Sequence, residues 1–237
     1  MASILLLDDD SYFRQIAVAA LKARRHEVVE ATRCKDAEAL LRKNKFDVII
    51  VDGLLPDLDG MSWIEKLRAS DATTPIIFCS AFWKNDQRLK SLPVSTTLKK
   101  PVTPGVLVSK VEGCLPSAAR GAGALPPDAE REIQLLAASF ERELPKIIGG
   151  IRDAIDQLRE SPTSAPIRGV AQRRAHQLAG TAATFGFQVL GNACAQIEQA
   201  LLNIGQGAGV EMAWKRIESA LLNLICAEPA GPEALSA

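Results

Sequence analysis

The reading turns on FDVIIVDGLLPDLDG, Phe46 to Gly60. An apolar run, Val48 to Val51, ends abruptly in Asp52, and a loop punctuated by Pro56 and Gly60 follows. A short β-branched run of this kind predicts a strand buried on both faces, as in a parallel sheet. A carboxylate at its end asks for a reason, because in open parallel α/β sheets ligands sit beyond the carboxyl ends of the strands.

The residues on either side repeat the pattern. Strands are predicted at Ser3–Leu7, Glu27–Ala31, Ile76–Cys79 and Ser95–Leu98. Amphipathic helical stretches lie between them, at Tyr12–Arg24, Lys35–Asn44, Met61–Ala69, Lys84–Ser91 and Pro104–Leu115. Strands alternating with helices predict a five-stranded, doubly wound parallel sheet, an α/β fold of flavodoxin-like type, over residues 1–117. From 118 to 127 Ala, Gly and Pro dominate and periodicity disappears, which predicts a linker. No strand signal returns afterwards. Asp128–Glu160, Arg168–Phe185, Gln188–Ile204 and Val210–Ala227 read as helices joined by short loops, hence an all-α antiparallel four-helix bundle over 128–228. A tail at 229–237 resembles linker again, so a longer native chain with a further output domain is one expectation.

The bulk properties exclude several classes. The chain has 237 residues, is 47% hydrophobic, and carries 28 basic and 28 acidic residues. That balance gives no nucleic-acid footprint, and the pair Arg173–Arg174 is too little for one. No apolar run approaches the roughly 18 residues of a membrane span, and no signal peptide is read at the start. The five cysteines are scattered without a CxxC pair, which predicts neither a disulfide framework nor a zinc site and points to a cytoplasmic protein.

The chemistry gathers at the strand ends. The first strand runs into Asp8–Asp9–Asp10, the third into Asp52, the fourth into Ser80, and the fifth into Lys99–Lys100–Pro101. Each alone reads as a helix cap or a solvated loop. Together, carboxylates on one edge repel unless a cation joins them, and hard oxygen ligands suit Mg²⁺, which commonly binds carboxylates together with a phosphate. A hydroxyl and a lysine opposite would neutralise the other phosphate oxygens, as phosphoryl transfer requires. Asp52 is then the natural nucleophile.

In order and spacing, ILLLDDD, DVIIVDGLLPDLDG, PIIFCSA and LKKP resemble the receiver domain of two-component response regulators, over residues 1–117. The resemblance implies Asp52 as phosphoacceptor and Mg²⁺ held by Asp8, Asp9, Asp52 and the Leu54 carbonyl. It implies Ser80 and Lys100 as contacts of the phosphoryl group, and a cis Lys100–Pro101 bond. Thr97 stands where receivers usually carry Tyr or Phe.

Of the two histidines, His26 lies between a helix and a strand and reads as a plain loop residue. His176 sits in RRAHQLAGTAATFG. At about 100° per residue, Ala171, Ala175, Leu178, Ala182 and Phe185 form one apolar stripe, and the imidazole is expected to point to solvent. Gln172 and Gly180 are its neighbours one turn away. HQLAGTAATFG resembles the histidine phosphotransfer (HPt) domain, which implies a four-helix bundle with His176 as phosphoacceptor and no metal of its own. Ala179 replaces the usual lysine of that motif, and Arg173, one turn before His176, is expected to substitute for it in part.

The combined expectation is a phosphorelay protein: a phosphoryl carrier rather than a classical enzyme, served by a separate histidine kinase or by another receiver or HPt protein. The alternative is a phosphorylation-controlled binding or dimerisation module whose bundle does not transfer.

Overall fold

The structure, a computed structural model, describes residues 1–71, 73–81, 87–116 and 124–226. The chain divides into two compact units, Met1–Ala137 and Ala138–Ala237. The expected helix start at Lys84, most of the 118–127 linker and the 229–237 tail lie outside the described residues.

In the first unit, β1 (Ser3–Leu7), β2 (Glu27–Ala31), β3 (Val48–Asp52), β4 (Ile76–Ser80) and β5 (Thr96–Lys99) alternate with α1 (Ser11–Ala23), α2 (Cys34–Leu41), α3 (Gly60–Arg68), α4 (Gln87–Ser91) and α5 (Pro104–Gly113). The strands form one parallel sheet in the order β2-β1-β3-β4-β5. Successive side chains of a strand face opposite ways, so the sheet feeds two cores. Ile4, Leu6, Val48, Ile50 and Ile77 pack with Phe13 and Ala17 of α1 and with Leu107 and Val111 of α5. Leu5, Leu7, Ile49, Val51 and Phe78 pack on the other face with Ala37 of α2 and with Trp63 and Ile64 of α3. Every residue of β3 and β4 is buried, which is why those stretches read as continuous rather than alternating runs.

Carboxylates fix the helix starts. Asp10 accepts from the backbone N–H groups of Tyr12 and Phe13 at the start of α1, and Asp59 does the same for Met61 and Ser62 at α3. The α2 terminus is capped from elsewhere, by Asp57 of the β3–α3 loop, which accepts from the N–H groups of Cys34 at 3.0 Å and Lys35 at 3.1 Å. Burial raises the Asp57 pKa, but these bonds outweigh it and hold the carboxyl below its ordinary value.

The end of the linker region is anchored rather than free. Arg24, at the end of α1, donates from Nε to Glu112 Oε1 of α5 at 3.1 Å and from Nη1 to the Ala124 carbonyl at 3.4 Å, while Leu125 packs on the α1–α5 core. Composition alone carries no sign of a carbonyl that meets an arginine 100 residues away. His26 lies beneath this contact with its side chain fully buried and Nε2 3.8 Å from Glu112 Oε1, a more structural position than a plain loop residue.

The second unit comprises α6 (Pro127–Glu160) from Ala138 onward, α7 (Ala165–Thr184), α8 (Gln188–Gly205) and α9 (Val210–Cys226). Each contributes a buried stripe at alternating spacings of three and four: Ile151, Ala154 and Leu158; Ala171, Ala175, Leu178 and Ala182; Leu190, Cys194, Ile197 and Leu201; Ala213, Ile217, Ala220 and Leu224. Four such stripes joined by short loops close into an antiparallel bundle. Phe140 packs with its ring centroid 5.0 Å from that of Phe185 and 5.9 Å from that of Phe187, the planes tilted by 36° and 51°. Helices α7 and α8 approach closely at Gly191, where a Cβ would lie 3.0 Å from the Ala183 Cβ and 3.2 Å from the Ala179 carbonyl oxygen. Among the described residues, no helix is long and apolar enough to cross a membrane.

Burial disfavours the His26 imidazolium and outweighs the pull of Glu112, while the amino terminus and Arg24 act in the same direction as burial, so His26 titrates below its ordinary 6.5. The unfolded chain therefore takes up the proton first. The stability that His26 contributes is complete above its unfolded pKa of about 6.5 and is lost as pH falls through its lower folded value. Urea unfolding followed between about pH 7.5 and 5.5 is expected to show this decline in wild type and to lose it in His26→Gln. Equal pH slopes in the two proteins would contradict it.

Candidate functional site

The parallel sheet brings the strand ends together. Leu7 pairs with Val51, Asp52 with Cys79, and Ser80 with Lys99. Asp8 thus emerges on one side of Asp52 and Ser80 on the other, with Lys100 beyond Ser80 and its N–H bonded to the Ser80 carbonyl at 2.9 Å. Asp8, Asp52, Ser80 and Lys100 are all buried, while Asp9 is half-buried. The carboxylate oxygens of Asp8, Asp9 and Asp52 lie within 4.8 Å of one another.

The centre of the cluster is the Lys100 ammonium. It donates to Asp8 Oδ2 and to Asp52 Oδ1, each at 2.7 Å, with its side chain 2% exposed. Its underside rests on the Phe13 ring, 4.3 Å from the centroid. Burial opposes its charge, but Asp52 and Asp8 outweigh that and hold its pKa well above the ordinary lysine value. Burial pushes Asp8 up to about 7; Asp52 and Asp10 add to the rise and Lys100 opposes it.

Local backbone bonds fix these groups. Asp8 Oδ1 accepts from the Asp10 N–H at 2.9 Å, and its carbonyl accepts from Arg14 Nη1 at 2.9 Å. Asp52 Oδ2 accepts from the Leu54 N–H at 3.0 Å. The loop then folds back: Leu54 bridges Asp59, and the Gly60 N–H reaches the Gly53 carbonyl at 3.1 Å. A Cβ on Gly60 would come within 2.0 Å of the Asp52 carbonyl oxygen, so the loop closes on the phosphoacceptor candidate only with glycine there. The Lys100–Pro101 bond is cis. Thr97 is half-buried on β5, opposite Phe78 of β4.

In the second unit the expected exposure of His176 is corrected. The residue is 2% exposed, and Nδ1 lies 2.9 Å from Oε1 of Glu198 on α8, which is equally buried. Helix α7 is buried over a wider arc than the single Leu178 stripe, with His176, Ala179, Gly180 and Thr181 all inside it. The small residues of the α7–α8 contact bring Glu198 into reach. Gln172 and Arg173 are half-buried one turn earlier. The Arg173 guanidinium lies by Gly169, 3.6 Å from where a Cβ would stand, a turn further from His176.

The sequence reading passed over Glu198 and Phe13, and took Gly60 only as punctuation of the loop. Glu198 left a trace, since a carboxylate four residues after buried Cys194 falls on the core side of α8. Phe13 left none, because an apolar residue on the inner face of α1 reads as core.

Comparison with known proteins follows these divisions. Residues 4–112 match the response regulator receiver domain, and residues 135–228 match the Hpt domain. The first half is similar to the phosphate regulon transcriptional regulatory protein PhoB of Pseudomonas aeruginosa, 29% identical over 48% of this chain and 51% of that protein. It is similar also to the transcriptional regulatory protein SrrA of Staphylococcus aureus, 29% identical over 47% of each. The chain spans about half the length of these curated relatives. Among solved structures, the Francisella response regulator 1452 receiver domain is 29% identical over 48% of this chain and 96% of that one, at a TM-score of 0.45. The chemotaxis response regulator CheY4 of Vibrio cholerae is 28% identical over 48% and 99%, at 0.46. By the family matches, the chain carries a response regulator receiver domain over residues 4–112 followed by an Hpt domain over residues 135–228.

Proposed function

We propose that this is a two-component phosphorelay protein in which Asp52 accepts a phosphoryl group and His176 passes one on or receives one. The observation that carries the reading is the buried Lys100 ammonium bridging Asp8 and Asp52 at the carboxyl edge of the sheet. Asp8, Asp9 and Asp52 fit a hard divalent cation, being clustered oxygen donors of like charge with Lys100 among them; with the Leu54 carbonyl they would hold Mg²⁺. Bound there, the ion would neutralise phosphoryl oxygens and the charge of the cluster.

The residues of the chain carry the step itself. An Asp52 oxygen attacks phosphorus on an incoming phosphohistidine. The O–P bond forms, the P–N bond breaks, and its electron pair returns to the ring nitrogen, which takes a proton from water. Lys100 and the Ser80 hydroxyl meet the phosphoryl oxygens, so charge is neutralised by groups already in place. At His176 the direction is reversed. Nε2 attacks an acyl phosphate, the N–P bond forms, and a carboxylate leaves. With Glu198 accepting at Nδ1, the neutral ring keeps its proton there and its lone pair on Nε2. The donor is a histidine kinase or another phosphorelay protein, and the chain catalyses no reaction beyond its own phosphorylation and loss of phosphate. The domain limits proposed are 1–117 and 128–228.

The burial of His176 favours a second reading, in which the bundle binds a partner under the control of Asp52 and transfers nothing. Phosphate mapping separates the two. With acetyl phosphate and Mg²⁺, label is expected on Asp52, absent in Asp52→Ala. In wild type it is expected to pass, on this chain or on a supplied one, to an alkali-stable form that His176→Gln lacks. Label on Asp52 that no His176 ever receives would leave the binding reading standing, and label in Asp52→Ala would displace the acceptor.

Two substitutions test the named roles. Lys100→Ala is expected to slow Asp52 phosphorylation about 10²-fold, the usual loss for one preorganised donor, while Mg²⁺ affinity by titration calorimetry holds or rises because a competing cation is gone. Wild-type rates in that variant would remove Lys100 from the chemistry. Glu198→Ala is expected to shift the neutral His176 ring from the Nδ1–H form toward the Nε2–H form in ¹⁵N NMR, with transfer slowed about tenfold. An unchanged tautomer would reduce Glu198 to packing.

A further inference from the structure

The Lys100 ammonium has a third contact besides its two carboxylates. The ring of Phe13 lies under it at 4.3 Å, and Phe13 is itself only 1% exposed. The placement of that ring is set by the third of the aspartates that open the site. Asp8 and Asp9 point to the cluster, while Asp10 turns away to cap α1, accepting from the Phe13 N–H at 3.2 Å and from the Tyr12 N–H at 3.0 Å. The cap fixes the first turn of α1, and the first turn fixes the ring.

From this geometry we propose that Phe13 is a positioning residue for Lys100, holding the ammonium by its π face while the carboxylates are engaged in the reaction. The proposal rests on the reading of Asp52 as phosphoacceptor. In the resting site the two 2.7 Å bonds to Asp8 and Asp52 dominate, and the ring adds little that they do not already supply. During phosphorylation both bonds weaken. Asp8 would be drawn toward a bound cation, and the oxygen charge of Asp52 passes into the new O–P bond. The face of an aromatic ring is uncharged, binds no Mg²⁺ and is not consumed by the reaction, so it is the contact of the ammonium that persists. A cation over a buried ring is attracted by the ring quadrupole, and more strongly where water is excluded, as here. The ring therefore contributes most when the carboxylates contribute least, and its loss falls on the rate rather than on the resting fold. An aliphatic side chain of similar volume would fill the same space beside Ala17 and Leu107 but would leave the ammonium free to follow the departing charge.

The test replaces Phe13 in the full-length chain by phenylalanines carrying one, two and three ring fluorines. These keep shape and burial while withdrawing the negative face step by step. Phosphorylation of Asp52 by acetyl phosphate at saturating Mg²⁺ is followed together with the Mg²⁺ dissociation constant and the melting midpoint, with Phe13→Leu as a packing control. The expected result is a rate that falls in steps with fluorine count, by about tenfold or more at three fluorines, with Mg²⁺ affinity and midpoint unchanged and with Phe13→Leu as slow as the trifluoro form. Rates flat across the fluorinated series would overturn the proposal, whether or not Phe13→Leu is slow, because packing alone would then explain the residue. Failure of the underlying reading would look different: wild type itself would take no label on Asp52.

Discussion

A buried ammonium between two carboxylates constrains everything around it. Lys100, Asp8 and Asp52 come from three different strand ends, and none could be buried alone without a desolvation cost of several kcal/mol. Together they are tolerable only if the strands hold register to within a fraction of an ångström. The all-buried β3 and β4, the two cores packed on opposite faces, and the capping carboxylates of the helices supply that rigidity. The sheet is best understood as the frame that keeps three charges in mutual reach.

The loops at the carboxyl edge extend the same logic. The turn after β3 closes over Asp52 through Gly60 and is pinned sideways by Asp57, which caps a helix belonging to another crossover. A carboxylate serving as a remote cap ties the loop beside the site to α2, so the loop is held at both of its ends. In the bundle the comparable constraint is the small-residue contact between α7 and α8. It lets a histidine and a glutamate meet within the packed interior, where their hydrogen bond is protected from competition with water.

How much of this could be read from residues alone depended on range. Asp8, Asp52, Ser80 and Lys100 were legible because a parallel sheet converts order along the chain into position at an edge, and the apolar runs announced the strands. The four bundle helices were legible from their spacings. What escaped involves pairs whose meeting no local pattern encodes: Glu198 with His176 across two helices, Phe13 beneath Lys100, and Arg24 reaching the Ala124 carbonyl. The exposure of His176 was misjudged for a related reason. A helical wheel assigns one face to the core, and α7 is buried on more than one.

The sheet also has an opposite edge. All five strands run the same way, so the connections entering them stand a full strand length from the carboxylates. The turn from α2 into β3, through exposed Lys43, Asn44 and Lys45, is one of these. Inserted sequence is best accepted where exposed backbone is remote from the core, which makes that turn a place to graft a fluorophore tag or an affinity peptide. The handle would sit at the blunt end of the domain, leaving the carboxylate edge unencumbered.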